Sequence, residues 1–121
     1  MYKKILDDNL SPYMSRHPGV LFQQDNHPVH KSRALSKYFQ EVGWRKLVWP
    51  PRSPDLSPIE NVWGLLKQKI SRETFEDIDE LEDFIVNWWN SLNASYFRNL
   101  YESMPIRIQQ VIDCDGNYIP Y

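Results

Sequence analysis

At 121 residues, with 41% hydrophobic, 14% aromatic and 25% charged residues, the chain has the composition of one folded domain and none of the bias of a disordered segment. Its formal net charge is −2 and its longest apolar runs are far shorter than a bilayer span, so no membrane partner is expected. The single cysteine, Cys114, excludes an internal disulfide, and with Asp7 and Asp8 so early no signal peptide is expected. An intracellular protein is expected, nuclear in a eukaryote and cytoplasmic otherwise.

In chain order, residues 2–16 read as a helix, with Tyr2, Ile5, Leu6 and Leu10 at helical spacing and Pro12 limiting its first part. His17-Pro18-Gly19 breaks it. Val20-Leu21-Phe22 is a short apolar strand. Asn26-His27-Pro28 is a turn, and Pro28 can open the next helix. There Leu35, Tyr38, Phe39 and Val42 fall at i, i+3, i+4 and i+7, and Gly43 is placed to end it. Arg45 to Trp49 reads as a second strand, followed by a loop stiffened by Pro50, Pro51 and Pro54.

Ser57-Pro58-Ile59-Glu60 starts a helix by every local rule: Ser57 as cap, Pro58 in the first turn, Glu60 three residues after the cap. Ile59, Val62, Trp63, Leu66 and Ile70 form its expected buried stripe. A further helix runs from about Ile78 to Leu92, capped by Asp77. Asn93 can cap the next, and Pro105 opens a last one over 106–113. A sheet of two strands is marginal by itself.

Charge is distributed unevenly. Residues 1–72 carry 12 Lys/Arg against 6 Asp/Glu, whereas residues 73–121 carry 2 against 10. Asp25 and Glu60, with thirty-four residues between them, lie in the basic part. A basic surface around carboxylates suits a phosphodiester substrate. Solvated helix faces would carry the same charges. Asp25 can equally be a turn residue before Pro28, and Glu60 the third residue of a capping box. Asp55 is expected to hold its loop by an Asx-type hydrogen bond. Trp63, Trp88 and Trp89 sit on apolar stripes and read as core. Asp25, His27 and His30 could be drawn as a zinc site, but no further ligands stand at recognisable spacing.

Three blocks decide between these readings. They are Gln23-Gln24-Asp25-Asn26-His27-Pro28-Val29-His30, Trp49-Pro50-Pro51-Arg52-Ser53-Pro54-Asp55-Leu56-Ser57-Pro58-Ile59-Glu60-Asn61-Val62-Trp63, and Ser103-Met104-Pro105-Ile106-Arg107-Ile108. Together they resemble the DDE transposases of the Tc/mariner superfamily, and Glu60 in place of an aspartate resembles the Tc-like branch.

That resemblance implies an α/β, RNase H-like fold of which residues 1–121 are the C-terminal part. The last two strands and flanking helices are expected, with the first three strands, the first catalytic aspartate and the helix-turn-helix region missing. It implies two-metal phosphoryl transfer on DNA, with Asp25 and Glu60 as catalytic and metal-binding residues for two Mg²⁺ (or Mn²⁺) ions. His30, Lys31, Arg33, Arg52 and Lys67 are the expected DNA contacts. Asp7 and Asp8 belong to a helix and do not replace the first aspartate. Activity is expected only with the rest of the domain. The alternative is a catalytically inactive remnant that binds nucleic acid or protein. A bare strand edge would favour pairing with the missing half or with a second copy.

Overall fold

In a computed structural model, residues 1–121 are all described and divide into two compact units, Met1–Arg52 and Ser53–Tyr121. In the first unit, helix α1 (Tyr2–Ile5), a π-helical turn (Leu6–Leu10) and helix α2 (Ser11–Arg16) follow one another without a break. Pro12 has no N–H, and its ring crowds the carbonyl four residues back, so the regular ladder widens just upstream. The Asn9 side chain donates to the Ile5 carbonyl at 3.0 Å within that widened turn.

Leu6 of this helical run packs against Leu35, Tyr38 and Phe39 of α3 (Arg33–Val42), with Tyr2, Leu10, Phe22, Val42 and Trp44 around them. The predicted apolar spacing therefore marks the buried face. Gly43 ends α3 as expected: its φ of 67° is left-handed, and its N–H donates to the Phe39 carbonyl at 3.1 Å. The start differs. Pro28–Lys31 forms a separate 3-10 turn, and Ser32 is extended with its hydroxyl accepting from the Leu35 N–H. A hydroxyl cap nucleates the helix better than Pro28, which supplies fixed φ but no acceptor.

The two expected strands are reduced to one parallel bridge between Phe22 and Lys46. It consists of Phe22 N–H to Arg45 O at 2.8 Å and Leu47 N–H to Phe22 O at 2.9 Å. Two short parallel segments with no further strand beside them have little to propagate a ladder, and Pro50 stops it on one side. Val48 is 94% exposed in consequence.

The second unit opens with a 3-10 turn (Pro54–Leu56), followed by α4 (Ile59–Ile70), α5 (Ile78–Ser91), α6 (Ala94–Glu102) and α7 (Met104–Asp113). The side-chain Oδ1 atoms of Asp77 and Asn93 accept from Glu80 N–H and Tyr96 N–H, both at 2.9 Å, as their sequence positions predict. Ser57 does not cap α4. Pro58, itself in helical conformation, occupies the cap position one residue later, and a proline ring has no acceptor to offer the first turn. Val62 and Leu66 are buried, but Ile59 and Trp63 are not. Trp63 instead lies against Trp89 at 6.2 Å, and Trp89 against Phe97 at 5.6 Å. The two indoles thus form a partly exposed ring contact rather than the core expected of them. No helix is long and apolar enough to cross a membrane.

Gly43→Ala puts a Cβ into a left-handed position and should destabilise the fold by about 1 kcal/mol in urea unfolding, with an unchanged denaturant slope. A loss well below that would show that Gly43 does not set the end of α3.

Candidate active site

Asp25 follows directly from the bridged segment that holds Phe22 in the core. Its carboxylate is exposed but not free. Oδ1 accepts the His27 N–H at 3.0 Å and meets His30 Nδ1 at 2.7 Å. The His30 ring is in turn stacked on Tyr2, centroids 4.6 Å apart, while the Tyr2 hydroxyl donates to Gln24 Oε1 at 3.0 Å. Neighbouring Asn26 donates to the Trp49 carbonyl at 2.8 Å. The loop is thus fixed at Gln24, Asp25 and Asn26 by four partners, Tyr2, His27, His30 and Trp49. Oδ2 takes none of these bonds.

The His27 N–H holds the Asp25 carboxyl below its usual range, partial burial opposes this, and the hydrogen bond from His30 adds to the lowering. Burial, then the Asp25 charge, pushes the Tyr2 phenol up. The sign for Asp25 is that of a depressed carboxylate. Its contribution to stability is present above the ordinary aspartate pKa and is lost as pH falls through the lowered one.

Glu60 lies in the first turn of α4 and is exposed. Since no capping box forms, its carboxylate is not folded back on the helix end. Asp55 is 3% exposed, and its Oδ1 accepts the N–H of the next residue, Leu56, at 3.2 Å, rather than the Asx-type bond two residues on that was expected of it. Its Oδ2 accepts the Ile119 N–H at 3.2 Å, which sequence spacing could not show.

Lys31, Arg33, Arg52 and Lys67 are all exposed, whereas His30 is half-buried and engaged with Asp25. Asp7 accepts from the Tyr38 hydroxyl at 2.7 Å and so braces the core. Sequence reasoning missed Tyr2 and Arg107. Tyr2 carried only a helical-stripe signal. Arg107 stood in a recognised block without an assigned role.

Residues 2–82 match the family described as DDE superfamily endonuclease. The chain belongs to that family. Among curated relatives it is 35% identical to the Tc3 transposase and 34% identical to the Tc1 transposase of Caenorhabditis elegans, in each case over 99% of this chain. It covers 38% and 45% of those two proteins, so it spans less than half their length. These relatives agree with the Tc-like resemblance of the sequence blocks. A solved Mos1 transposase catalytic domain with Raltegravir and Mn shares the fold at a TM-score of 0.82 and 21% identity, over 97% of this chain and 59% of that one.

Carbon-13 titration of the Asp25 carboxyl should give a midpoint below the ordinary value of about 3.9. His30→Ala should raise it, yet leave it lowered, because the His27 N–H remains. A midpoint unmoved by His30→Ala would show that the imidazole does not hold this carboxylate in solution.

Proposed function

We propose that these 121 residues are the C-terminal part of a DDE transposase domain with a partial RNase H-like fold, and that Asp25 and Glu60 are two of its metal-binding carboxylates. The complete enzyme would cut and join DNA at transposon ends. The observation that carries this reading is that the family match, residues 2–82, spans both carboxylates. Mos1 relatives solved with Mn, with Mg and as a strand transfer complex support the divalent metal and the DNA substrate.

The donor chemistry fits. Mg²⁺ and Mn²⁺ prefer hard oxygen ligands, and both carboxylates are exposed to accept one. Asp25 and Glu60 would be two of the ligands, with the others supplied by the rest of the proposed domain. Two bound ions would supply Lewis-acid stabilisation of charge on the phosphoryl oxygens and make the attacking hydroxyl more acidic. The chain's own contribution is to keep Asp25 ionised and its loop fixed through His27, His30 and Tyr2. A carboxylate that is ionised well below neutral pH needs no proton removed before it binds a cation.

Lys31, Arg33, Arg52 and Lys67 would neutralise DNA phosphates. Their exposure also supports a second reading, a chain that binds nucleic acid without cutting it. Both readings predict a slope of log K against log salt of about −3 to −4 if all four cations engage duplex DNA. Salt-independent binding, or none at low salt, would remove these residues from the interface.

Catalysis separates the two readings. With the remaining domain supplied, Mg²⁺-dependent cleavage of a transposon-end duplex should appear. Asp25→Asn or Glu60→Gln should lower it roughly 10³-fold or more, as loss of several kcal/mol of transition-state stabilisation implies. Cleavage that survives either substitution would contradict the assignment, and no cleavage with the complete domain would favour the binding-only reading.

A further inference from the structure

Arg107 on α7 is 8% exposed, and all three of its nitrogens donate to neutral acceptors. Nε donates to Ser103 Oγ at 2.9 Å, Nη1 to the Asp55 main-chain carbonyl at 3.1 Å, and Nη2 to Asn61 Oδ1 at 3.0 Å. The guanidinium lies over the Tyr121 ring, 5.9 Å from its centroid. Two of these acceptors bracket Glu60. Asn61 is the next residue, and Asp55 lies in the turn that leads into α4.

Glu60 stands in the first turn of α4, where the backbone N–H groups have no partner within the helix. Its N–H is held by the Ser57 carbonyl at 3.0 Å, but no side chain caps the first turn. A buried guanidinium with three fixed donors supplies the restraint that the missing cap does not. Asp55 extends the same cluster to the tail through the Ile119 N–H. The restraint thus comes from α7 and the tail, far along the chain from Glu60.

We propose that Arg107 is a positioning residue for Glu60, fixing the turn that presents this carboxylate by holding Asp55 and Asn61 together. The inference rests on the reading of Glu60 as a metal-binding carboxylate. A purely structural arginine would stabilise the whole unit and leave Glu60 no more restrained than the rest of α4.

The test is amide exchange and Mn²⁺ titration by NMR on the 121-residue chain, comparing the parent with Arg107→Lys and, as the milder change, Asn61→Ala. Lysine keeps the charge but loses the fork, and Asn61→Ala removes only the bond beside Glu60. Exchange at the Glu60 and Asn61 amides should rise at least about tenfold more than at Leu66, the effect of losing a charge-assisted hydrogen bond. The Mn²⁺ concentration that half-broadens the Glu60 amide should rise about tenfold, as when an outer partner of a metal ligand is removed. An equal rise in exchange at Glu60, Asn61 and Leu66 with unchanged Mn²⁺ response would overturn the positioning role alone. Broadening of the parent's Glu60 amide that persists in Glu60→Gln would overturn the metal reading and the positioning role with it.

Discussion

A guanidinium taken out of water must have its donors met, because an unmatched buried charge is among the most destabilising features a fold can carry. Arg107 imposes that requirement on the unit Ser53–Tyr121. Meeting it fixes Ser103 at the start of α7, Asn61 in the first turn of α4 and the Asp55 carbonyl in the turn before it. Asp55 then sets the tail through Ile119, which is itself buried. The unit has few fully buried apolar side chains, Val62, Leu66 and Ile119. Its directional bonds therefore fix geometry that a small apolar core would leave loose.

The unit Met1–Arg52 reaches the same end by other means. An aromatic core of Tyr38, Phe39, Phe22 and Trp44 holds the bridged segment, and the loop after it carries Asp25. His30, stacked on Tyr2, meets the carboxylate from one side, and the His27 N–H meets it from another. Each unit thus presents one exposed carboxylate on a turn restrained by partners distant in sequence. On the proposed reading of Asp25 and Glu60, that arrangement suits ligands that must be accessible to a cation and still hold their direction.

Much of this was legible in the residues. The spacing of Leu35, Tyr38, Phe39 and Val42, the stop at Gly43, and the caps at Asp77 and Asn93 are local signals, and local physics decided them. The family blocks pointed to Asp25 and Glu60 before any geometry was known, and both carboxylates lie within the residues that match the family. Three readings failed, the first on a local detail and the other two for reasons outside any short window. Ser57 had the right identity for a cap, but α4 starts one residue later, with Pro58 at the cap position. Trp63 lay on an apolar stripe, yet it is partly exposed against Trp89. The strands had the composition of a ladder, but pairing needs neighbours that are not supplied by periodicity. Burial of Arg107 was invisible because its acceptors, Asp55 and Asn61, lie 52 and 46 residues away.

The decisive measurement is anomalous diffraction from Mn²⁺-soaked crystals of these residues within the proposed complete domain. Anomalous peaks are expected within coordination distance of both Asp25 and Glu60. Ordered Mn²⁺ bound elsewhere, with both carboxylates unliganded, would contradict it.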